Sequence, residues 1–151
     1  MNSQEQLANN LVIIDANFIL LPFQFKIDFF SEITAELEGK TIYIVFNEII
    51  RELNAKKERE PKATKFQKQL KAGLLYLEKN KPKYDVIVDE TARAIGVATD
   101  DFLVRKASEL KEKYSSVYLA TNDQLLRKKA RDQSIGIIFL RQKKYLSFER
   151  F

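Results

Sequence analysis

Short runs rich in β-branched residues alternate with longer amphipathic segments along this chain. The runs predict strands at 11–14, 41–46, 116–120 and 136–140, with a weaker fifth at 84–89. The segments between them predict helices at 25–37, 47–57, 62–80, 100–114 and 123–132. Strands that alternate with helices form βαβ units, which build a mostly parallel sheet. At 151 residues, the pattern predicts a single α/β domain over residues 1–151.

The composition excludes several kinds of site. The sequence contains no cysteine and no histidine, so it has no disulfide, no thiolate metal site and no imidazole base. Hydrolytic chemistry would therefore depend on carboxylates, lysine, tyrosine or hydroxyl groups. The sequence lacks cysteine, a recognisable targeting segment and an apolar run long enough to span a bilayer, and we therefore expect a cytoplasmic protein.

Acidic groups follow the predicted strands at their carboxyl ends. Asp15 comes directly after the first strand, and Glu48 lies two residues after the second. The sequence Thr121-Asn122-Asp123 directly follows the strand 116–120, and Thr99-Asp100-Asp101 opens a predicted helix. Ligands of parallel sheets bind beyond the carboxyl ends of the strands, so these groups are candidates for one site.

Each group also has a purely structural explanation. Asp, Asn and Thr are preferred N-cap residues, and acids in a first helical turn complement the helix dipole. Asp15 is harder to explain in this way, because no predicted helix begins there and a carboxylate among apolar residues needs a positive partner. Several carboxylates without histidine or cysteine favour Mg²⁺ or Mn²⁺ over zinc. We therefore expect a divalent cation to be the partner of Asp15.

Four segments of the chain resemble the acidic motifs of PIN-domain ribonucleases, in the same order: VIIDANFIL, VFNEIIREL, TDDFLVRKA and YLATNDQLLRKKA. The tail IGIIFLRQKKYLSFE is similar to the branch that includes archaeal PIN proteins and the eukaryotic Fcf-type factors of ribosomal RNA processing. The resemblance extends over about residues 11–148. It implies a PIN-like three-layer α/β/α sandwich with a central, mostly parallel sheet and a metal-dependent endoribonuclease site.

The resemblance also implies roles for particular residues. The catalytic acids of the family, which bind Mg²⁺ or Mn²⁺, correspond to Asp15, Glu48, Asp101 and Asp123, with Asp100 as the alternative to Asp101. Polar residues beside these acids would orient them, namely Asn17, Asp100, Thr121 and Asn122. The bound ions would activate a water and stabilise charge on the attacked phosphate, which leaves 5′-phosphate and 3′-hydroxyl ends.

Basic residues form three clusters that suit a polyanionic partner, on a chain of net charge +5. They are Lys62, Lys65 and Lys68; Arg127, Lys128 and Lys129; and Arg141, Lys143 and Lys144. A solvated helix face explains any one cluster equally well. Two of the three flank an acidic motif, which favours contacts with RNA phosphates.

The sequence leaves three functions open. The leading one is a metal-dependent endoribonuclease that hydrolyses RNA phosphodiesters in ribosomal RNA processing, with pre-rRNA or ribosomal particles as partners. A toxin-type PIN ribonuclease would share the four acids. A non-catalytic RNA-binding or ribosome-assembly module would keep the fold without the activity. We expect no membrane partner, and a homodimer stays open as well.

Overall fold

A six-stranded sheet forms the centre of the computed structural model, which describes residues 9–151. The strands are β1 (Asn10–Ile14), β2 (Thr41–Phe46), β3 (Asp85–Asp89), β4 (Ser116–Ala120), β5 (Gly136–Arg141) and β6 (Tyr145–Glu149). Their order in the sheet is β3-β2-β1-β4-β5-β6. All neighbouring strands run parallel except β5 and β6, which are antiparallel.

Seven helices connect the strands of this part of the chain. They are α1 (Ala16–Ile19), α2 (Leu21–Gln24), α3 (Phe29–Glu36), α4 (Asn47–Arg59), α5 (Thr64–Asn80), α6 (Thr99–Leu110) and α7 (Gln124–Asp132). None of these helices is long and apolar enough to cross a membrane. The α/β class and the mostly parallel sheet predicted from the sequence are confirmed.

Helices cover both faces of the sheet. On β2, Tyr43 and Phe46 point to opposite faces because side chains alternate along a strand. Tyr43 packs edge-on against Phe30 of α3, with ring centroids 4.8 Å apart, and Phe46 packs against Phe102 of α6 at 5.2 Å. The strand β1 therefore lies between two apolar layers, and its five residues are all buried.

The carboxyl ends of β1 and β4 meet at the point where the strand order reverses. From β1 the chain moves outward through β2 and β3, then returns to the other side of β1 as β4. In the register of this pair, Ile14 lies opposite Ala120, so Asp15 and Thr121 follow side by side. Such reversal points are where parallel sheets bind ligands.

Several elements differ from the sequence prediction: the short helices α1 and α2 were not predicted, and the helix predicted at 100–114 ends at Leu110. The helix predicted at 25–37 begins only at Phe29, because Lys26 adopts a left-handed conformation (φ 56°) and Asp28 caps α3. The strand β6 was not predicted. It follows a three-residue turn, 142–144, in which Gln142 and Lys143 both have positive φ, and neither is the Asn or Gly that adopts this conformation most readily.

We expect Gly73→Ala to destabilise the fold beneath the site. An ideal Cβ at Gly73 of α5 would overlap the backbone carbonyl oxygen of Ile19, the last residue of α1. The clash outweighs the helix propensity gained with alanine, about 1 kcal/mol. Thermal and urea unfolding should show a loss of about 1–3 kcal/mol. Leu75→Ala, at an exposed position on the same helix, serves as the control and should change stability by less than about 0.5 kcal/mol. If Gly73→Ala were as stable as the parent, α1 and α5 would be able to move apart without cost.

Candidate active site

The carboxylate of Asp15 is buried and accepts three hydrogen bonds. Its Oδ1 accepts the backbone N–H of Ala16 at 2.7 Å, and its Oδ2 accepts the Thr121 hydroxyl at 2.7 Å and the Asn17 amide at 2.9 Å. Asp15 is therefore the N-cap of α1, and the sequence-based expectation that no helix begins there was wrong. Its protein partners among residues 9–151 are neutral donors.

The environment of Asp15 opposes its ionisation. Burial raises the pKa of this carboxyl from 3.8 to about 6, although the hydrogen bonds from Thr121 and Ala16 act in the opposite direction. The negative charges of Asp100 and Glu52 raise the pKa further. These two acids, from α6 and α4, thus share an electrostatic environment with the carboxyl end of β1.

The segment after β4 holds this arrangement together. Thr121 is fully buried, and its Oγ1, besides donating to Asp15, accepts the backbone N–H of Asp123 at 3.1 Å. Asn17 Oδ1 accepts the Asn122 N–H at 2.9 Å, and Asn122 Oδ1 accepts the Leu140 N–H at 2.8 Å. Three side chains thereby tie the ends of β1, β4 and β5 to one another.

Asp123 lies at the exposed edge of the same segment. Its Oδ1 accepts the Leu126 N–H at 2.9 Å, so Asp123 is the N-cap of α7. Its charge nonetheless acts on Asp100 across the site. Asp123 therefore combines the capping role with membership of the acidic group.

The adjacent acids of α6 have different environments. Asp100 is half-buried, and its pKa is raised first by burial and then by the charge of Asp123, with smaller contributions from Glu52 and Asp101. Asp101 is exposed, and its Oδ1 accepts a hydrogen bond from Lys129 Nζ at 3.0 Å. The structure thus brings Asp100 into the acidic group and leaves Asp101 at its rim, beside a lysine.

The first two glutamates of α4, Glu48 and Glu52, also have different environments. Glu48 is buried and pairs with Arg51 at 3.6 Å and with Arg93 at 3.4 Å. Glu52, one turn later, accepts the Thr99 hydroxyl at 2.7 Å, and its charge acts on both Asp15 and Asp100. Glu52 was missed at the sequence level, although its position four residues after Glu48 places it on the same helix face.

The acidic group suits a hydrated divalent cation. Among residues 9–151, no three Asp, Glu, His or Cys side chains lie close enough together to hold an ion on their own. Mg²⁺ commonly retains several waters and binds one or two carboxylates directly. A buried carboxyl with a raised pKa, surrounded by further acids, gains most from such an ion, because the ion favours its ionised form.

The predicted RNA-binding residues lie in three separate places. Lys62, Lys65 and Lys68 are exposed in and before the first turns of α5. Arg127 and Arg141 lie against the ring of Phe139, at 4.3 and 5.5 Å from its centroid.

The other predicted RNA-binding residues lie on the surface around α7 and the β5–β6 hairpin. Lys128 pairs with Asp132 at 3.6 Å and Lys129 with Asp101, while Lys143 and Lys144 are exposed in the turn between β5 and β6. Exposed ion pairs of this kind are weak, so they leave the lysines accessible to another anion.

The sequence profile of the family described as PIN like domain matches residues 12–143. The chain belongs to this family. It is 31% identical over 140 residues to Ribonuclease VapC4 of Methanocaldococcus jannaschii, a match that covers 93% of this chain and 95% of that protein. The structure of the PIN domain endonuclease Utp24 superimposes with a TM-score of 0.64 and 26% identity, covering 93% of this chain and 92% of that one. The predicted membership of the PIN family is confirmed, and both relatives are described as nucleases.

We expect Asp15 to make the metal-free protein less stable as the pH rises. The folded-state pKa of Asp15, about 6, lies above the ordinary value of 3.8. The protonated carboxyl therefore stabilises the fold fully below pH 3.8, and this stabilisation is lost as the pH rises through 6. The loss amounts to about 3 kcal/mol for a shift of this size. Denaturant unfolding in EDTA from pH 4 to pH 8 should show the stability of the parent relative to Asp15→Asn falling across this range.

The ¹³C shift of the Asp15 carboxyl provides a direct control for this assignment. It should titrate near pH 6 in the folded, metal-free protein. A midpoint near pH 4, with parallel stability curves for the parent and the variant, would contradict the raised pKa.

Proposed function

We propose that this protein is an endoribonuclease that depends on Mg²⁺ or Mn²⁺ and hydrolyses RNA phosphodiesters. The observation that carries the proposal is the Asp15 carboxyl at the strand-order reversal, whose pKa is raised by burial and further by the charges of two acids from other elements. Family membership and the nuclease descriptions of both relatives support it.

We assign the acids from their environments. The charges of Glu52 and Asp100 act on Asp15, and those of Asp123 and Glu52 act on Asp100. Asp15, Glu52, Asp100 and Asp123 would therefore surround the ion. From the sequence we predicted Glu48 where we now propose Glu52, and Asp101, with Asp100 as the alternative, where we now propose Asp100. In the structure, however, Glu48 is paired with two arginines and Asp101 with Lys129.

The chemistry divides between the ion and the chain. When bound, the ion would supply an activated water and stabilise the charge that develops on the phosphate. The chain orients the acids: Thr121 and Asn17 fix the Asp15 carboxylate, and Asn122 fixes Asn17. Asp15 loses its proton when the ion binds, so we expect metal affinity to increase from pH 5 to pH 7.

Substrate RNA would contact the basic surfaces around the acids. Arg127, Lys128 and Lys129 lie on α7, directly after Asp123, while Arg141, Lys143 and Lys144 lie on the β5–β6 hairpin. Lys62, Lys65 and Lys68 would provide a separate contact at the start of α5. Because such contacts neutralise phosphates, affinity for RNA should fall steeply with salt.

The finer proposal is that the substrate is a ribosomal RNA precursor, as in Fcf-type factors. It is supported by the RQKKY tail, whose basic residues the structure places on an exposed hairpin turn. A toxin-type ribonuclease is the second candidate, supported by the identity with Ribonuclease VapC4 over nearly the whole of both chains. Sequencing the 5′ ends of RNA cleaved in cells would separate the two, by mapping cuts to precursor spacers or to mature RNAs.

Two pairs of neighbouring acids test the assignment. We expect Glu52→Gln and Asp100→Asn to lower kcat more than about tenfold at saturating RNA, because each removes charge from the group around the ion. Glu48→Gln and Asp101→Asn should keep kcat within about threefold of the parent. Cleavage of single-stranded RNA in Mn²⁺ measures this, with Asp15→Asn as the inactive reference.

Thermal shifts with millimolar Mn²⁺ provide a second readout that does not depend on cleavage. The parent, Glu48→Gln and Asp101→Asn should retain the shift, while Glu52→Gln and Asp100→Asn should lose most of it. The reverse pattern would restore Glu48 and Asp101 as the acids of the site. Absence of cleavage and of any metal shift in the parent would favour the non-catalytic RNA-binding module.

A further inference from the structure

A cleft of about 630 Å³ opens along one face of α4. Residues of α4 line it at helical spacing, at positions 48, 51, 52, 55, 56 and 59, together with Leu53. The opposite wall is provided by Arg93, from the segment between β3 and α6. The volume is in the range of pockets that hold a nucleotide-sized ligand.

Glu48 holds two arginines at this cleft. Its Oε1 accepts the backbone N–H of Arg93 at 3.2 Å and lies 3.6 Å from Arg51 Nη1, and its Oε2 lies 3.4 Å from Arg93 Nε. Arg93 Nη1 also donates to the Val97 carbonyl at 2.8 Å. Glu48 itself is buried, so a buried carboxylate fixes two guanidinium groups whose side chains stay 59% and 40% exposed.

The two guanidinium groups retain unused donors. Among residues 9–151, Nη2 of Arg51 and Nη2 of Arg93 donate no hydrogen bond. Guanidinium groups match the geometry of phosphate, to which they donate two parallel hydrogen bonds. An anion with several acceptor oxygens is therefore the ligand that this pair can satisfy.

The cleft adjoins the acidic group. Ala16, the residue after Asp15, lies on its wall, and so does Glu52, whose charge acts on Asp15. Toward the carboxyl end of α4 the wall becomes basic, with Lys56 and Arg59. A nucleic-acid strand bound along α4 would thus pass from a basic surface, past Arg51 and Arg93, to the acidic group.

We propose that Arg51 and Arg93, positioned by Glu48, bind a backbone phosphate of the RNA strand next to the bond that is cut. The proposal rests on the proposed function, since it places the phosphate beside the acids of a nuclease. The pair offsets the repulsion that Glu52, Asp100 and Asp15 exert on an approaching polyanion. Glu48 is then a positioning residue, which acts through the two arginines.

Binding without cleavage is the first test. The affinity of a short, fluorescent single-stranded RNA of mixed sequence is measured in EDTA for the parent, Arg51→Gln, Arg93→Gln and the double variant. We expect the double variant to bind at least about tenfold more weakly and its salt dependence to flatten by roughly 0.7 log units per log unit of salt, the value for one lost phosphate contact with a single strand.

Matched variants separate a bound phosphate from a general loss of charge. Arg105→Gln removes an exposed arginine of α6 that does not line the cleft, and should change the affinity less than about twofold. Arg93→Lys keeps the charge but not the planar fork, and should bind with intermediate affinity. Melting temperatures confirm that each variant is folded.

Cleavage kinetics in Mn²⁺ provide the second test. The double variant should show a KM raised about tenfold with kcat little changed, and should keep the thermal shift with Mn²⁺. Unchanged affinity and KM in the double variant would overturn the phosphate site, even if the parent cleaves RNA. A parent that never cleaves, with RNA binding weakened only by the Arg51 and Arg93 changes, would overturn the nuclease and leave the phosphate site standing.

A competing ligand distinguishes RNA from an acidic protein segment. We expect polyglutamate to bind the parent weakly and to bind the double variant with the same affinity. The reason is that a flexible chain of carboxylates does not match the fixed pair of guanidinium groups. If the double variant lost polyglutamate binding but kept RNA binding, the proposal would be overturned in favour of a protein partner.

Discussion

The hydrogen bond from the buried Thr121 hydroxyl to the Asp15 carboxylate joins the ends of the two central strands, and the arrangement of the site depends on it. It forms because the β1–β4 register places Ile14 opposite Ala120, so that Asp15 and Thr121, the residues that follow them, lie side by side. Asn17 and Asn122 extend the contact to the backbone of β5. A buried polar network whose members are all paired holds its groups rigidly, while a partly paired one would destabilise the fold.

The acids contributed by helices reach this network through a second set of contacts. The segment after β3 and the first residue of α6 are bound to α4 at three points: Asn47 to Glu90 at 3.1 Å, Glu48 to the backbone of Arg93 at 3.2 Å, and Glu52 to Thr99 at 2.7 Å. These contacts fix the start of α6, and with it Asp100, against the helix that carries Glu52. The site is thus built from the central strands on one side and from a crossover segment on the other.

This arrangement places like charges close together in a partly dry environment. Burial and the neighbouring acids both raise the pKa of Asp15 and of Asp100, so the metal-free site costs the fold stability at neutral pH. The apolar residues of β1 and β2, most of them fully buried, offset that cost. A bound cation would remove the repulsion, and the arginine pair beside Glu52, as we propose it, would reduce it for an incoming phosphate.

The sequence by itself determined the strands, the parallel α/β class and the positions of acids after strand ends, because these depend on local patterns of apolar and polar residues. It did not determine β6, whose hairpin turn uses Gln142 and Lys143 instead of residues that favour positive φ. Nor did it determine which acid of each neighbouring pair faces the site. Glu48 and Glu52 share one face of α4, and Asp100 differs from Asp101 only in how α6 docks through Phe102, Leu103 and Ala107.

Only the tertiary structure decided which side chains pair with the acids, since the partners are distant in the chain. Thr121 lies 106 residues from Asp15, and Arg93 lies 45 residues from Glu48. Hydrogen bonding and charge depend on distance in space, which a local pattern does not contain.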